Sequence, residues 1–91
     1  MWTITADHID SGKFSAIGTV GPSNATLDAA DIKATGKHFR LYDGDGELSY
    51  EGYCTSNDDY AAFDPLDDFG TPNAGCTAIK YRSQSGKYEL L

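Results

Sequence analysis

Apolar residues recur at every second position in several short runs, the period of a half-buried strand. Trp2 and Ile4 alternate with Thr3 and Thr5, which predicts an opening strand, and Thr5 also offers a cap for a helical turn over residues 6–9 that Gly12 would end. The run FSAIGTV at 14–20 predicts a second strand, closed by Gly21 and Pro22. Residues 38–42 and 47–54 flank Asp43-Gly44-Asp45-Gly46, a strong hairpin signal. A two-residue turn pairs Leu41 with Tyr50, Phe39 with Gly52 and Arg40 with Glu51, whereas a four-residue loop pairs Leu41 with Leu48 and Phe39 with Tyr50. Either register leaves Phe39, Leu41, Leu48, Tyr50 and Cys54 on one face, because the two differ by an even number of residues. The run CTAIKYR at 76–82 predicts another strand. A Ser85-Gly86 turn returns it, setting Tyr81 against Leu90, Arg82 against Glu89 and Ser83 against Tyr88.

Helical signals are shorter. Within residues 23–36, which admit helix, loop or edge strand, Asp28 to Ala34 has good helix formers, an acidic first turn and an exit at Gly36. Only about two turns fit, so such a helix needs tertiary packing. Asp64-Pro65-Leu66-Asp67-Asp68-Phe69-Gly70 predicts a helical turn with Asp64 as N-cap, Pro65 at its first position and Gly70 at its exit. Residues 71–75 read as loop. The expected fold class is α+β: a small antiparallel β-rich single domain over residues 1–91, with two hairpins and one or two short helical turns. Its expected core holds Trp2, Ile4, Phe14, Ile17, Phe39, Leu41, Leu48, Tyr50, Leu66, Phe69, Ile79, Tyr81 and Leu90.

Charge changes the picture more than composition does. The 91 residues carry 14 acids against 7 bases, a formal charge of −7. A chain this short has no room for a large catalytic fold around a buried cofactor, and its aromatic content argues against disorder. Its net charge argues against direct binding to nucleic acid or to an anionic membrane. The start, MWTITADHIDSGK, lacks the pattern of a signal peptide, and no apolar run approaches a membrane span, so a cytoplasmic location is expected. There Cys54 and Cys76 are expected as reduced, partly buried thiols.

Familiar chemistries fit poorly. In YDGDGELSYE, aligning Gly46 with the sixth position of a calcium loop puts Leu41 and Gly52 where its key acids belong, and turn chemistry already accounts for Asp43 and Asp45. Ser11-Gly12-Lys13 lacks the glycine-rich lead of a phosphate loop. His8, His38, Cys54 and Cys76 offer no close pair for zinc, and nothing fixes a catalytic geometry. The expectation is therefore no enzyme, no metal and no cofactor. What stands out is distribution. From Tyr42 to Ala78 there is no Lys or Arg but nine acids: Asp43, Asp45, Glu47, Glu51, Asp58, Asp59, Asp64, Asp67 and Asp68. Tyr53 and Tyr60 lie in the same stretch, and tyrosines among charges suit protein interfaces. These eleven residues form the candidate protein-binding site, facing a basic protein surface.

The segments FRLYDGDGELSYEG (39–52) and FDPLDDFGTPNAGCTAIKY (63–81), with the MWTIT start, resemble a group of small bacterial and mobile-element proteins of phage or plasmid type that share these stretches. No activity is assigned to that group, so no catalytic residue carries over. Small acidic proteins of such genomes include inhibitors that mimic nucleic acid. The resemblance thus agrees with a non-enzymatic interaction module, an inhibitor presenting acids to a basic nucleic-acid-binding host protein. The alternative is a small accessory or structural protein whose acidity serves solubility.

Overall fold

The computed structural model describes residues 1–9, 16–56 and 60–91. Among them, six strands form one antiparallel sheet in the order β2-β1-β4-β3-β5-β6. They are β1 (Trp2–Asp7), β2 (Val20–Gly21), β3 (Lys37–Asp43), β4 (Leu48–Cys54), β5 (Cys76–Arg82) and β6 (Tyr88–Leu90). The α+β class is as expected, both hairpins form, and β3, the most central apolar strand, carries fully buried Phe39 and Leu41. Trp2, Ile4, Tyr50, Cys54, Leu66, Cys76 and Ile79 complete that core.

Both hairpin loops use the same device. In each, a three-residue loop ends on a left-handed glycine, Gly46 (φ 79°) or Gly86 (φ 87°), with Asp43 N–H donating to the Glu47 carbonyl and Ser83 N–H to the Lys87 carbonyl. Such a loop shifts pairing by one residue relative to a two-residue turn. In β3–β4 a bulge just beyond the turn restores the register, so Leu41 pairs with Tyr50 and Arg40 with Glu51, the two-residue alternative. The bulge buries Ser49 and leaves Leu48 opposite Tyr42, half-buried on the far face rather than in the core. In β5–β6 no bulge compensates. Tyr81 pairs with Glu89 and Lys80 with Leu90, one residue from the expected register. Leu90 therefore leaves the core and is 67% exposed, while Leu91 packs against it.

Other expectations also give way. The strand expected at 14–20 shrinks to Val20–Gly21, with Ile17 exposed beside a turn; Phe14 lies outside the described residues. β1 continues through Asp7 by pairing with β4, so Thr5 caps no helical turn. Residues 23–36 resolve as helix α1 (Ala29–Thr35), with Asp28 accepting from Asp31 N–H and Gly36 N–H closing onto the Ile32 carbonyl. It borders Thr3 and Thr5, buries Ile32 and so covers the β1 side of the sheet face opposite the main core.

That core is roofed by a helical arm: a 3-10 turn (Ala61–Phe63), a π-helical stretch (Pro65–Gly70) and α2 (Thr71–Ala74). Asp64 is helical and makes no side-chain cap, because the turn at Ala61 starts the arm before it. Gly70 does not end the arm; its missing side chain lets it sit against Cys76 and Leu41, and left-handed Gly75 makes the exit. Residues 71–74 are thus helical, not loop. Pro72 has no N–H to give and crowds the preceding turn, and the wider π spacing, with Thr71 N–H reaching the Leu66 carbonyl, accommodates it. The Tyr81 hydroxyl donates to the Ala62 carbonyl at 2.7 Å, fastening the arm to β5. No helix among the described residues is long and apolar enough to cross a membrane.

Candidate functional site

Of the candidate acids among the described residues, those that remain exposed lie on the arm and the hairpin tip. Asp45 and Glu47 are exposed at the tip, and Asp67 and Asp68 on the arm, where Asp64 is half-buried. Tyr60, at the arm's start, is 92% exposed. Not every acid is available. The Asp43 Oδ1 accepts from the Asp45 and Glu47 N–H groups, both at 2.9 Å, and so helps hold the turn. Asp68 accepts from the Trp2 indole at 3.3 Å, linking arm to β1. Asp58 and Asp59 lie outside the described residues.

Glu51 and Tyr53 belong elsewhere. Both point from β4 to the sheet face opposite the arm, since they pair with Arg40 and His38 while the intervening Gly52 pairs with buried Phe39. The fold therefore divides the acidic stretch seen in sequence. Glu51 is the centre of a polar cluster: His8 Nε2 donates to Oε2 at 2.8 Å, Arg40 Nε donates to Oε1 at 3.0 Å, and His38 Nε2 stands 3.6 Å from Oε1. The Glu51 side chain is only 16% exposed, so these contacts, rather than solvent, determine its charge state. Burial pushes its carboxyl upward, but the hydrogen bonds from His8 and Arg40 and the nearby positive charges outweigh that and hold it below the usual glutamate value.

His38 is not an edge residue. It lies in central β3, hydrogen-bonded through Nδ1 to the Tyr88 hydroxyl at 2.6 Å, with Tyr53 packed edge-on at 5.0 Å. Burial lowers its pKa; Glu51 opposes that shift, and Arg82 and Arg40 add to it. The Arg40 guanidinium lies 3.8 Å from the Tyr88 ring centre, and the Lys80 ammonium 4.9 Å from that of Tyr42. Sequence reasoning missed this cluster because its members are scattered over five strands or loops. Only the Arg40–Glu51 pairing of the two-residue register hinted at it.

Cys54 and Cys76 are free and buried. They flank β3 at opposite ends, opposite Lys37 and Asp43 respectively, a separation of about 20 Å along a strand that excludes a bond between them. Cys76 joins the core because the β3–β5 pairing is irregular around Thr77. The described residues hold no cluster of three or more His, Cys, Asp or Glu suited to a metal ion. In comparisons with family models, curated proteins and solved structures, none matches the chain.

Proposed function

We propose that this protein is a non-enzymatic interaction module acting in the cytoplasm, which docks its acidic side onto a basic protein surface. The mode is that of an inhibitor, encoded by a phage or other mobile element, occupying a groove that otherwise holds nucleic acid. The observation that carries the reading is the exposure of Asp45, Glu47 and Asp67 together with Tyr60 at 92%, in a stretch with no Lys or Arg from 42 to 78. Carboxylates attract a basic groove over roughly a Debye length, about 8 Å at physiological salt. An exposed tyrosine beside them adds contact area at small entropic cost.

The structure narrows the variant that tests it. Glu51, Asp43 and Asp68 hold the fold, so the interface variant changes Asp45→Lys, Glu47→Lys and Asp67→Lys only. Affinity capture from host lysate with wild-type bait should retain a basic protein that this variant loses at least tenfold, with thermal stability unchanged. Reversal of Lys33 and Lys37 to Glu should leave capture intact. A partner retained equally by the acidic-side variant, at low salt and at about 0.5 M, overturns the proposal.

A further inference from the structure

Among the described residues, α1 shelters the β1 and β4 part of the sheet face opposite the arm, and from β3 to β6 that face carries cations and aromatic rings. Arg40 and Lys80 are direct cross-strand partners. Like charges so placed repel, a cost the fold accepts twice over, since Arg82 follows on the same face of β5. Strand geometry sets Arg40 and Lys80 about 5 Å apart and Lys80 and Arg82 about 7 Å apart at their backbones. Arg40 is held from below and from the side, by the Tyr88 ring and by Glu51. Its side chain nevertheless remains 35% exposed. The acid beside Arg40, Glu51, is already engaged with Arg40 and His8. The chain's net charge of −7 is thus a poor guide to this side of the molecule.

We infer that the open face of β3, β5 and β6 is a binding surface for single-stranded nucleic acid. Arg40, Lys80 and Arg82 would take successive phosphates, and the Arg40–Tyr88 stack would receive a base. Two features favour a strand over a simple anion. Three cations grouped at about 5 and 7 Å offer more than one phosphate contact, and a guanidinium plane backed by a ring is a stacking platform for a base. Duplex fits less well, because this sheet face presents no projecting helix or ribbon to enter a groove. This surface is separate from the acidic side, so either proposal survives the failure of the other.

The test is fluorescence anisotropy of a labelled 12-residue oligouridylate titrated with the intact chain. Saturable binding is expected. With three phosphates neutralised and a slope near −0.7 per phosphate, affinity should fall about 20-fold between 50 and 200 mM salt. The Lys80→Glu, Arg82→Glu double variant, which spares the Arg40–Glu51 pair, should bind at least tenfold more weakly while melting at the wild-type temperature. Asp45→Asn with Glu47→Gln should bind as well as wild type or slightly better. No anisotropy change up to 200 µM protein at 50 mM salt overturns the inference, as does binding that ignores the double variant. Equal competition by a 12-residue oligoglutamate would also overturn it, by showing that the cations take carboxylates as readily as phosphates.

Discussion

Replacing Gly52 with Ala is expected to cost about 3 kcal/mol or more, the upper end for forcing extra atoms into a closed site. A Cβ at that position would overlap the Thr3 carbonyl oxygen and stand 2.7 Å from the Phe39 ring. The ring can shift, but the Thr3 backbone belongs to paired β1, so relief requires β1 and β4 to separate. Where they would part, Trp2 and Ile4 are buried. For a chain of this length, total stability is on the order of 5–13 kcal/mol, so the loss is a large share of it. Urea unfolding followed by Trp2 fluorescence measures it. Gly44→Ala is the matched control: nothing lies within 4 Å of its Cβ position. It should change stability by less than about 1 kcal/mol. A Gly52→Ala loss as small as the control's would contradict the close approach of β1 to β4.

Glu51→Lys should be the second most damaging change, at about 2 kcal/mol, because it removes two hydrogen bonds to basic groups and places a cation among Arg40, His8 and His38. Glu51→Gln, which can still accept from Arg40, should lose less. The same cluster makes stability fall with acid in two stages. His38 has a lowered folded pKa, so as pH drops through about 6.5 the unfolded chain takes up the proton first and stability declines. Glu51 is also lowered, so its contribution is present above about 4.5 and disappears as pH falls through its folded value. Thermal melts at pH 7.5, 5.5 and 3.5 should show both declines in wild type. The Glu51→Lys protein should lack the second contribution. Identical pH profiles would contradict the assignment.

Much of this architecture was legible because strand alternation is a local signal. The bounds of β5 and β6 matched their sequence runs, and so did the core face of β3. Errors arose where one residue changes parity. Two glycine-ended loops of the same type gave different registers, and the bulge at Ser49 separates them. The same blindness hid Leu91 behind Leu90. Gly70 was misread for a related reason: a glycine after an apolar run signals an exit, but here it is there to fit against Cys76. The acidic stretch misled in a third way. Adjacent positions on a strand face opposite sides of the sheet, so contiguity along β4 put Glu51 on a different surface from Asp67. Residues scattered from His8 to Tyr88 instead met on one face, a convergence no spacing rule encodes.

The proposal to be tested is that protein docking uses the acids of the hairpin tip and the arm and leaves the cationic sheet face out of it. Hydrogen exchange on the complex with the captured partner tests this most directly. The account predicts added protection at residues 43–48 and 60–74, with β5, β6 and Arg40 exchanging as in the isolated chain. Protection confined to residues 80–90 and the Arg40 side of β3, with the hairpin tip and the arm unchanged, would contradict it.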